Sequence, residues 1–370
     1  MSTASSANIA IFGRVDPNDE NELFGMTPFA LRMSRSANGV AKKHGEVSRE
    51  LWRAMFPANQ PVPITYVTNG VHAPTWIAPA FQNLYKNEIG ADWKHLLSDP
   101  DAWKGAVAQI PLPRIWQTHQ VLKDLLVAFI RQRTQKSDTG TKDTINERSD
   151  TNRLLDPNAL TIGFARRVAQ YKRWNLILFD RERLLRLVNN DTQPVQFVFA
   201  GKAHPQDRTA KQILQELMSI DGDSSWQQRA VFIEDYDQEV ARYLVQGVDV
   251  WMNVPRRPFE ASGTSGMKAA MNGVLNLSIL DGWWVEGYNG RNGFAVGDMR
   301  DFDSDDEIDA IESDALYSLL ENEIVPKFYD RGDDGISVDW VAMMKEAIAT
   351  LTPQFSSDRM VRDYFEKIYG

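Results

Sequence analysis

The chain has 370 residues, 43% hydrophobic and 25% charged, the balance of a globular protein with a large core, which excludes disorder as its main state. Its 41 Lys and Arg against 50 Asp and Glu give a formal charge of −9 and a pI near 5.2, which argues against nonspecific binding to nucleic acid or anionic lipid. Cysteine is absent, so disulfides, thiolate zinc sites and cysteine nucleophiles are excluded. At ~100 to 200 residues per domain the length implies about two domains, or one large domain with an appendage. The start of the sequence has no basic segment followed by an apolar core, and nowhere is there a run of ~20 apolar residues. The expectation is a soluble, cytoplasmic protein with no membrane partner.

Met26 to Met55 places Phe29, Leu31, Met33, Val40, Val47 and Leu51 among basic and polar residues, which predicts one or two helices interrupted near Asn38-Gly39. Pro57, Pro61 and Pro63 break that pattern, and the β-rich run Ile64 to Thr68 ends at Asn69-Gly70, where a domain crossing is expected. Ile115, Val121, Leu122, Leu125, Leu126 and Phe129 have the spacing of a helix packed on one face. Residues 134–153 are polar and read as a flexible insertion.

Strands and helices then alternate. Strands are expected at Leu160 to Phe164, Val195 to Ala200, Ala230 to Ile233, Val248 to Asn253 and Val274 to Ile279. Between them lie helices at Trp174 to Val188, Ala210 to Met218, Gln238 to Gln246 and Met267 to Asn272. This order implies an α/β fold, a doubly wound parallel sheet, whose ligands sit beyond the carboxyl ends of the strands. The acidic run Asp301 to Asp309 precedes a helix expected at Ala315 to Ile324, and Trp340 to Gly370 has helical spacing.

Two clusters fall at expected strand ends. Glu260 to Gly273 is rich in small residues between a strand and a helix, so its backbone N–H groups can approach an anion or a sugar hydroxyl; it is equally the pattern of a glycine-rich turn with a surface lysine. Lys268 is followed by Ala269, which rules out a Walker A loop. The second cluster, Arg166 to Arg173, holds four cations in eight positions, enough to gather two phosphates; the bland alternative is a solvated basic patch. Both clusters can face one crevice. Of five histidines, His72 and His204 lie in turns after strands, but no pair has metal-ligand spacing, so no metal is expected. Eleven tryptophans suit either sugar stacking or core packing.

These residues resemble the α-glucan (glycogen/maltodextrin) phosphorylase family, in particular the carboxyl-terminal portion of its bacterial and archaeal branch. The match runs from about Asn21 to Asp298. It includes Asn38-Gly39-Val40, His44 to Ser48, Thr68-Asn69-Gly70, Ala165 to Arg173, Gly201-Lys202-Ala203, Glu260 to Lys268 and Asp281 to Glu286. The resemblance implies the Rossmann-like carboxyl-terminal lobe of a GT-B glycosyltransferase fold over residues 68–340. It also implies a truncated amino-terminal lobe in 1–67 and a helix at 341–370 that crosses back.

The implied activity is phosphorolysis of α-1,4-glucan to a shorter glucan and α-glucose 1-phosphate, with pyridoxal 5′-phosphate as cofactor. Lys268 resembles the lysine that holds the cofactor as a Schiff base, with Thr264, Ser265 and Arg166 at its phosphate and Tyr236 lining its pocket. Arg167 and Lys172 match residues that hold inorganic phosphate, and Glu260, Ser262, Gly263, Asn69 and Tyr171 match contacts to the glucose hydroxyls. Partners implied are α-glucan or maltodextrin, inorganic phosphate and glucose 1-phosphate, with a homo-oligomer or a companion chain supplying the missing lobe.

The main rival is a nucleotide-sugar glucosyltransferase. Many of these carry a second glutamate where Lys268 stands here, which favours the phosphorylase reading. A noncatalytic fragment or binding module is the third alternative. Ala169-Gln170 stands where many phosphorylases have His-Glu, and Asp237 where animal-type members place Arg.

Overall fold

The computed structural model describes residues 9–138, 154–218, 224–226, 228–300 and 304–370. Two short strands, β1 (Ala37–Gly39) and β2 (Ile64–Tyr66), pair in parallel near the amino terminus. Asn38-Gly39, expected as a break between helices, therefore lies in a strand. It separates the helices Met26–Met33 and Lys42–Leu51. The helix Leu112–Asp138 then leads to the main sheet; of the stretch read as a flexible insertion, 134–138 extend this helix and the rest falls outside the described residues.

The main sheet has six parallel strands: β3 (Leu160–Val168), β4 (Val195–Ala203), β5 (Ala230–Ile233), β6 (Val250–Asn253), β7 (Leu275–Ile279) and β8 (Gly293–Val296). Their order is β5-β4-β3-β6-β7-β8. The chain grows outward from β3 to β5 and then returns to the other side of β3, so the strand order reverses between β3 and β6. Strand β3 is buried along nearly its whole length, as an interior parallel strand must be.

Boundaries moved for local reasons. Strand β3 runs on through Arg166 and Arg167 to Val168, because its pairing with β4 continues to Val168 opposite Ala203. The helix expected at Trp174 to Val188 splits into a 3-10 turn, Leu176–Leu178, and a helix, Arg181–Val188, because Asp180 accepts the Arg183 N–H and caps a fresh start. The helix expected at Ala315 begins inside the acidic run, at Asp305, where Ser304 accepts the Glu307 N–H. Strand β8 has no counterpart in the sequence reading. Among the described residues no helix is long and apolar enough to cross a membrane.

The carboxyl-terminal helices Val338–Gln354 and Ser357–Tyr364 reach back to the segment after β2. Val71 N–H donates to Phe355 O and Ser357 N–H to Val71 O, both at 2.9 Å. Seven tryptophans, including Trp174, Trp251, Trp283 and Trp284, are less than 2% exposed, and Trp52 and Trp76 alone among the eleven are not buried. Core packing thus accounts for most of the tryptophan content.

At the amino edge of the sheet a fully buried ionic knot pins the helix Leu112–Asp138 to β6. Lys123 Nζ donates to Asp249 Oδ2 at 2.5 Å and to Ala159 O at 2.6 Å, and His119 Nε2 lies 2.9 Å from Asp249 Oδ1. Burial alone would push the Asp249 carboxyl up, but Lys123 and His119 outweigh it and hold it below the usual range. Asp249→Asn strands the Lys123 cation in the core, so urea unfolding should show a loss of about 3–5 kcal/mol. The depressed carboxyl implies stability that is complete above its ordinary value of 3.8 and lost as pH falls through the folded value.

Candidate functional site

The carboxyl ends of β3 and β6 flank the reversal in strand order, and the segments following them, 169–173 and 254–268, carry both sequence clusters. Arg166 and Lys172 are each 8% exposed, and both turn to one carboxylate, that of Glu260, which is 6% exposed. Lys172 Nζ hydrogen-bonds Glu260 Oε2, and Arg166 Nη1 stands 3.6 Å from the same oxygen. Lys172 also lies 4.6 Å above the Tyr171 ring. Burial pulls the Arg166 guanidinium below its ordinary value, with Glu260, Tyr171 and Tyr236 opposing it.

Two donors of Arg166, Nε and Nη1, are buried without a hydrogen-bond partner, and so is Ser262 Oγ. Unpaired buried donors cost free energy, and a ligand oxyanion would satisfy them. Beneath them, Asp281 at the end of β7 orders the turn: its Oδ2 accepts the Glu260 N–H at 2.9 Å and its Oδ1 the Gly282 N–H at 2.8 Å. Trp283 N–H donates to Ser262 O at 2.9 Å.

Lys268 sits on the helix Thr264–Ala270, which starts at Gly263 in the left-handed region at φ +91°. The helix packs so closely that a Cβ on Gly266 would lie 2.4 Å from Asn276 Oδ1 and 2.8 Å from the Trp283 ring. Lys268 Nζ stands 3.7 Å from the centre of the Trp76 ring and makes no ion pair among the described residues. Burial holds its ammonium below the usual range. An amine whose neutral form is made more accessible suits addition to a carbonyl. Ser265 Oγ accepts from Trp251 Nε1 at 3.2 Å, and Thr264 is half-buried at the helix start.

Other expected site residues are more dispersed. Tyr236, half-buried after β5, is close enough to Arg166 to feel its charge, which offsets part of the rise that burial imposes on its hydroxyl. Arg167 is exposed, on the opposite side of β3 from Arg166, with Lys202 as its register partner. Asn69 is held through its backbone: its carbonyl accepts from Arg359 Nη2 at 3.0 Å. His72 and His204 are exposed.

Sequence reasoning gave no role to three residues now at the site. Asp281 had a usable signal, its place directly after a strand. Trp76 had none, because only tertiary packing brings it to Lys268. Asn272 completes that contact: its Oδ1 accepts the Ala78 N–H at 2.7 Å and its Nδ2 donates to Trp76 O and Lys268 O, each at 2.9 Å.

Comparison with known proteins agrees with this layout. The family model for carbohydrate phosphorylase matches residues 4–292. A glycogen phosphorylase of Aquifex aeolicus is 44% identical over 361 residues, 96% of this chain and 51% of the relative. A maltodextrin phosphorylase of Thermococcus litoralis is 41% identical over 357 residues, 95% of this chain and 41% of the relative. A glycogen phosphorylase of Mycobacterium tuberculosis is 41% identical over 356 residues, again 95% of this chain and 41% of the relative. The chain spans about half the length, or less, of these curated relatives. With nearly its whole length aligned and both site clusters inside the matched region, the chain belongs to the carbohydrate phosphorylase family.

Proposed function

We propose that this chain forms the cofactor- and phosphate-binding portion of a cytoplasmic α-1,4-glucan phosphorylase, which converts glucan and inorganic phosphate to a shorter glucan and α-glucose 1-phosphate. Residues 68–340 would be the carboxyl-terminal lobe of a GT-B fold, 1–67 part of the facing lobe and 341–370 the helix returning to it. The observation that carries the reading is a desolvated Lys268 amine with no ion pair among the described residues, on the helix that follows β6, together with buried Arg166 donors that lack partners on the adjacent strand β3.

Those features fit pyridoxal 5′-phosphate, with Lys268 as covalent anchor, Arg166, Thr264 and Ser265 toward its phosphate and Tyr236 along its ring. When bound, the cofactor supplies a phosphate that exchanges a proton with inorganic phosphate. Lys172 holds the inorganic phosphate, and Arg167, whose side chain lies exposed on the other side of β3, joins it by turning over the strand end; their charge, with that of Arg166, offsets the repulsion between two oxyanions. Glu260, Ser262, Gly263, Asn69 and Tyr171 orient the glucose hydroxyls, so the glycosidic oxygen faces the held phosphate. Lys172 must then share its contact with Glu260 between carboxylate and phosphate.

Incubation with pyridoxal 5′-phosphate and borohydride, followed by peptide mass mapping, tests the anchor. A single reduced adduct at Lys268 is expected, and Lys268→Ala should abolish it; an unmodified Lys268 in the parent chain refutes the reading. Arg167→Ala should retain the adduct and lower phosphorolysis of maltodextrin about a hundredfold, the loss typical of one charge-stabilising contact. Turnover from ADP-glucose or UDP-glucose without phosphate would favour the nucleotide-sugar alternative instead. A chain that takes the cofactor but cannot turn over alone is the binding portion of a two-part site.

Burial, reinforced by the Glu260 charge, pushes the Asp281 carboxyl up to about 6 against the pull of two backbone N–H groups and Arg257. It is therefore protonated below that pH and ionised above it, two residues before the buried Trp283, whose N–H is bonded within the same turn. Tryptophan fluorescence should show a transition centred at about 6 that disappears in Asp281→Asn.

A further inference from the structure

Lys172 lies in a 3-10 turn, Gln170–Lys172, that ends at Arg173 in the left-handed region, φ +48°, a conformation disfavoured for any residue with a Cβ. Something outside the turn must hold it. The Arg173 guanidinium is 2% exposed and reaches across to the segment after β6, donating from Nε to Val254 O at 2.9 Å and from Nη2 to Pro255 O at 3.0 Å. From the other side, Arg256 N–H donates to Tyr171 O at 2.7 Å. The two loops that carry the anion contacts are thus laced together by two arginines.

One carboxylate joins these arginines. Asp309 Oδ1 accepts from Arg173 Nη1 at 2.9 Å and its Oδ2 from Arg256 Nη2 at 2.8 Å. Glu312, one turn further along, pairs with Arg173 as well, and Asp305 Oδ1 lies 2.6 Å from Arg256 Nη1. The helix bearing Asp309, Asp305–Leu319, is docked independently of this contact. Leu316 and Tyr317 are fully buried, the Tyr317 hydroxyl donates to Ile177 O, and Arg183 grips Glu321 just beyond at 2.6 Å. It is a fixed post to which the loops are tied.

We infer that Asp309 is a positioning residue: by bridging Arg173 and Arg256 it fixes the turn that presents the Lys172 amine and the Tyr171 ring to the anion site. It touches neither phosphate nor sugar, and acts only through the two arginines. Its effect on phosphate rests on the proposed role of Lys172, whereas its hold on the loops does not. Because the helix keeps its apolar anchors, loss of the Asp309 carboxylate should loosen the two loops and little else.

The test uses the whole chain and Asp309→Asn, with Arg256→Gln as an independent cut of the same bridge and Asp309→Glu as the conservative variant. Hydrogen exchange followed by mass spectrometry should show peptides spanning 169–174 and 254–259 exchanging about tenfold faster in the first two variants, with β5 and the helix Gln238–Gly247 unchanged. Titration with inorganic phosphate should give a dissociation constant about tenfold higher, as expected for a displaced charged contact. The borohydride-trapped adduct at Lys268 should form as in the parent chain, and Asp309→Glu should recover part of both losses. Unchanged exchange in the two loops overturns the proposal, as does an equal rise throughout the chain, which would mark a general structural role. If the parent chain binds no phosphate, the reading of Lys172 fails while the exchange data still decide the role of Asp309.

Discussion

Burying Arg166 and Lys172 at the carboxyl edge of the sheet requires an anion to meet them, and Glu260 is that anion in the free chain. The pairing is unequal. Lys172 has a full hydrogen bond, whereas Arg166 stands at 3.6 Å with Nε and Nη1 unsatisfied. The site therefore holds unspent charged donors, which a further anion would satisfy. At the opposite edge the Asp249 carboxylate is fully engaged, meeting Lys123 and His119 and accepting the Thr161 N–H at 2.8 Å, although His119 Nδ1 is left without a partner. The two edges of one sheet thus hold a buried carboxylate in different conditions: Asp249 meets Lys123, His119 and the Thr161 N–H at one, whereas Glu260 leaves two Arg166 donors unmet where the strand order reverses.

Much of this was legible in the sequence. Strands buried on both faces are near-continuous apolar runs, so β3 to β7 stood out, and the positions following them pointed to Arg166, Lys172, Glu260 and Lys268. Strand β8 did not stand out, because Gly293–Val296 is four residues long and opens with a glycine. The split at Asp180 was missed because apolar spacing continues across it, while the cap that restarts the helix is a single side chain. Arg167 shows the limit of reading roles from a run of like residues. Alternation along a strand sends Arg166 inward and Arg167 outward, so their shared charge does not give them shared surroundings.

Residues that position others were the hardest to read. Asp281, Asn272 and Asp309 act through backbone N–H groups, carbonyls or guanidinium groups that lie far away in sequence or belong to another element. No periodicity marks such residues, since each is defined by what surrounds it in three dimensions. The family motif could single out Lys268. It could not name the tryptophan ring and asparagine amide that set where the lysine stands.

The same principle governs how the two ends of the chain meet. Arg359, from the final helices, donates to the carbonyls of Thr68 and Asn69 at 2.7 and 3.0 Å, while the Thr68 hydroxyl meets both oxygens of Glu286 at 2.9 Å. Glu286 also accepts the Lys42 N–H at 2.9 Å, so one carboxylate on the segment after β7 fastens two points of the amino-terminal region. Asn69, the proposed sugar contact on that side, therefore owes its place to Glu286 through its neighbour Thr68 and to Arg359 through its own carbonyl. The anion contacts are set by the sheet and the helix behind it, whereas this sugar contact is set by charged ties between distant segments. Those ties are part-buried and polar, and such contacts yield under smaller forces than a packed core. A change in the angle between the two regions would consequently move Asn69 while leaving Arg166, Lys172 and Lys268 in register.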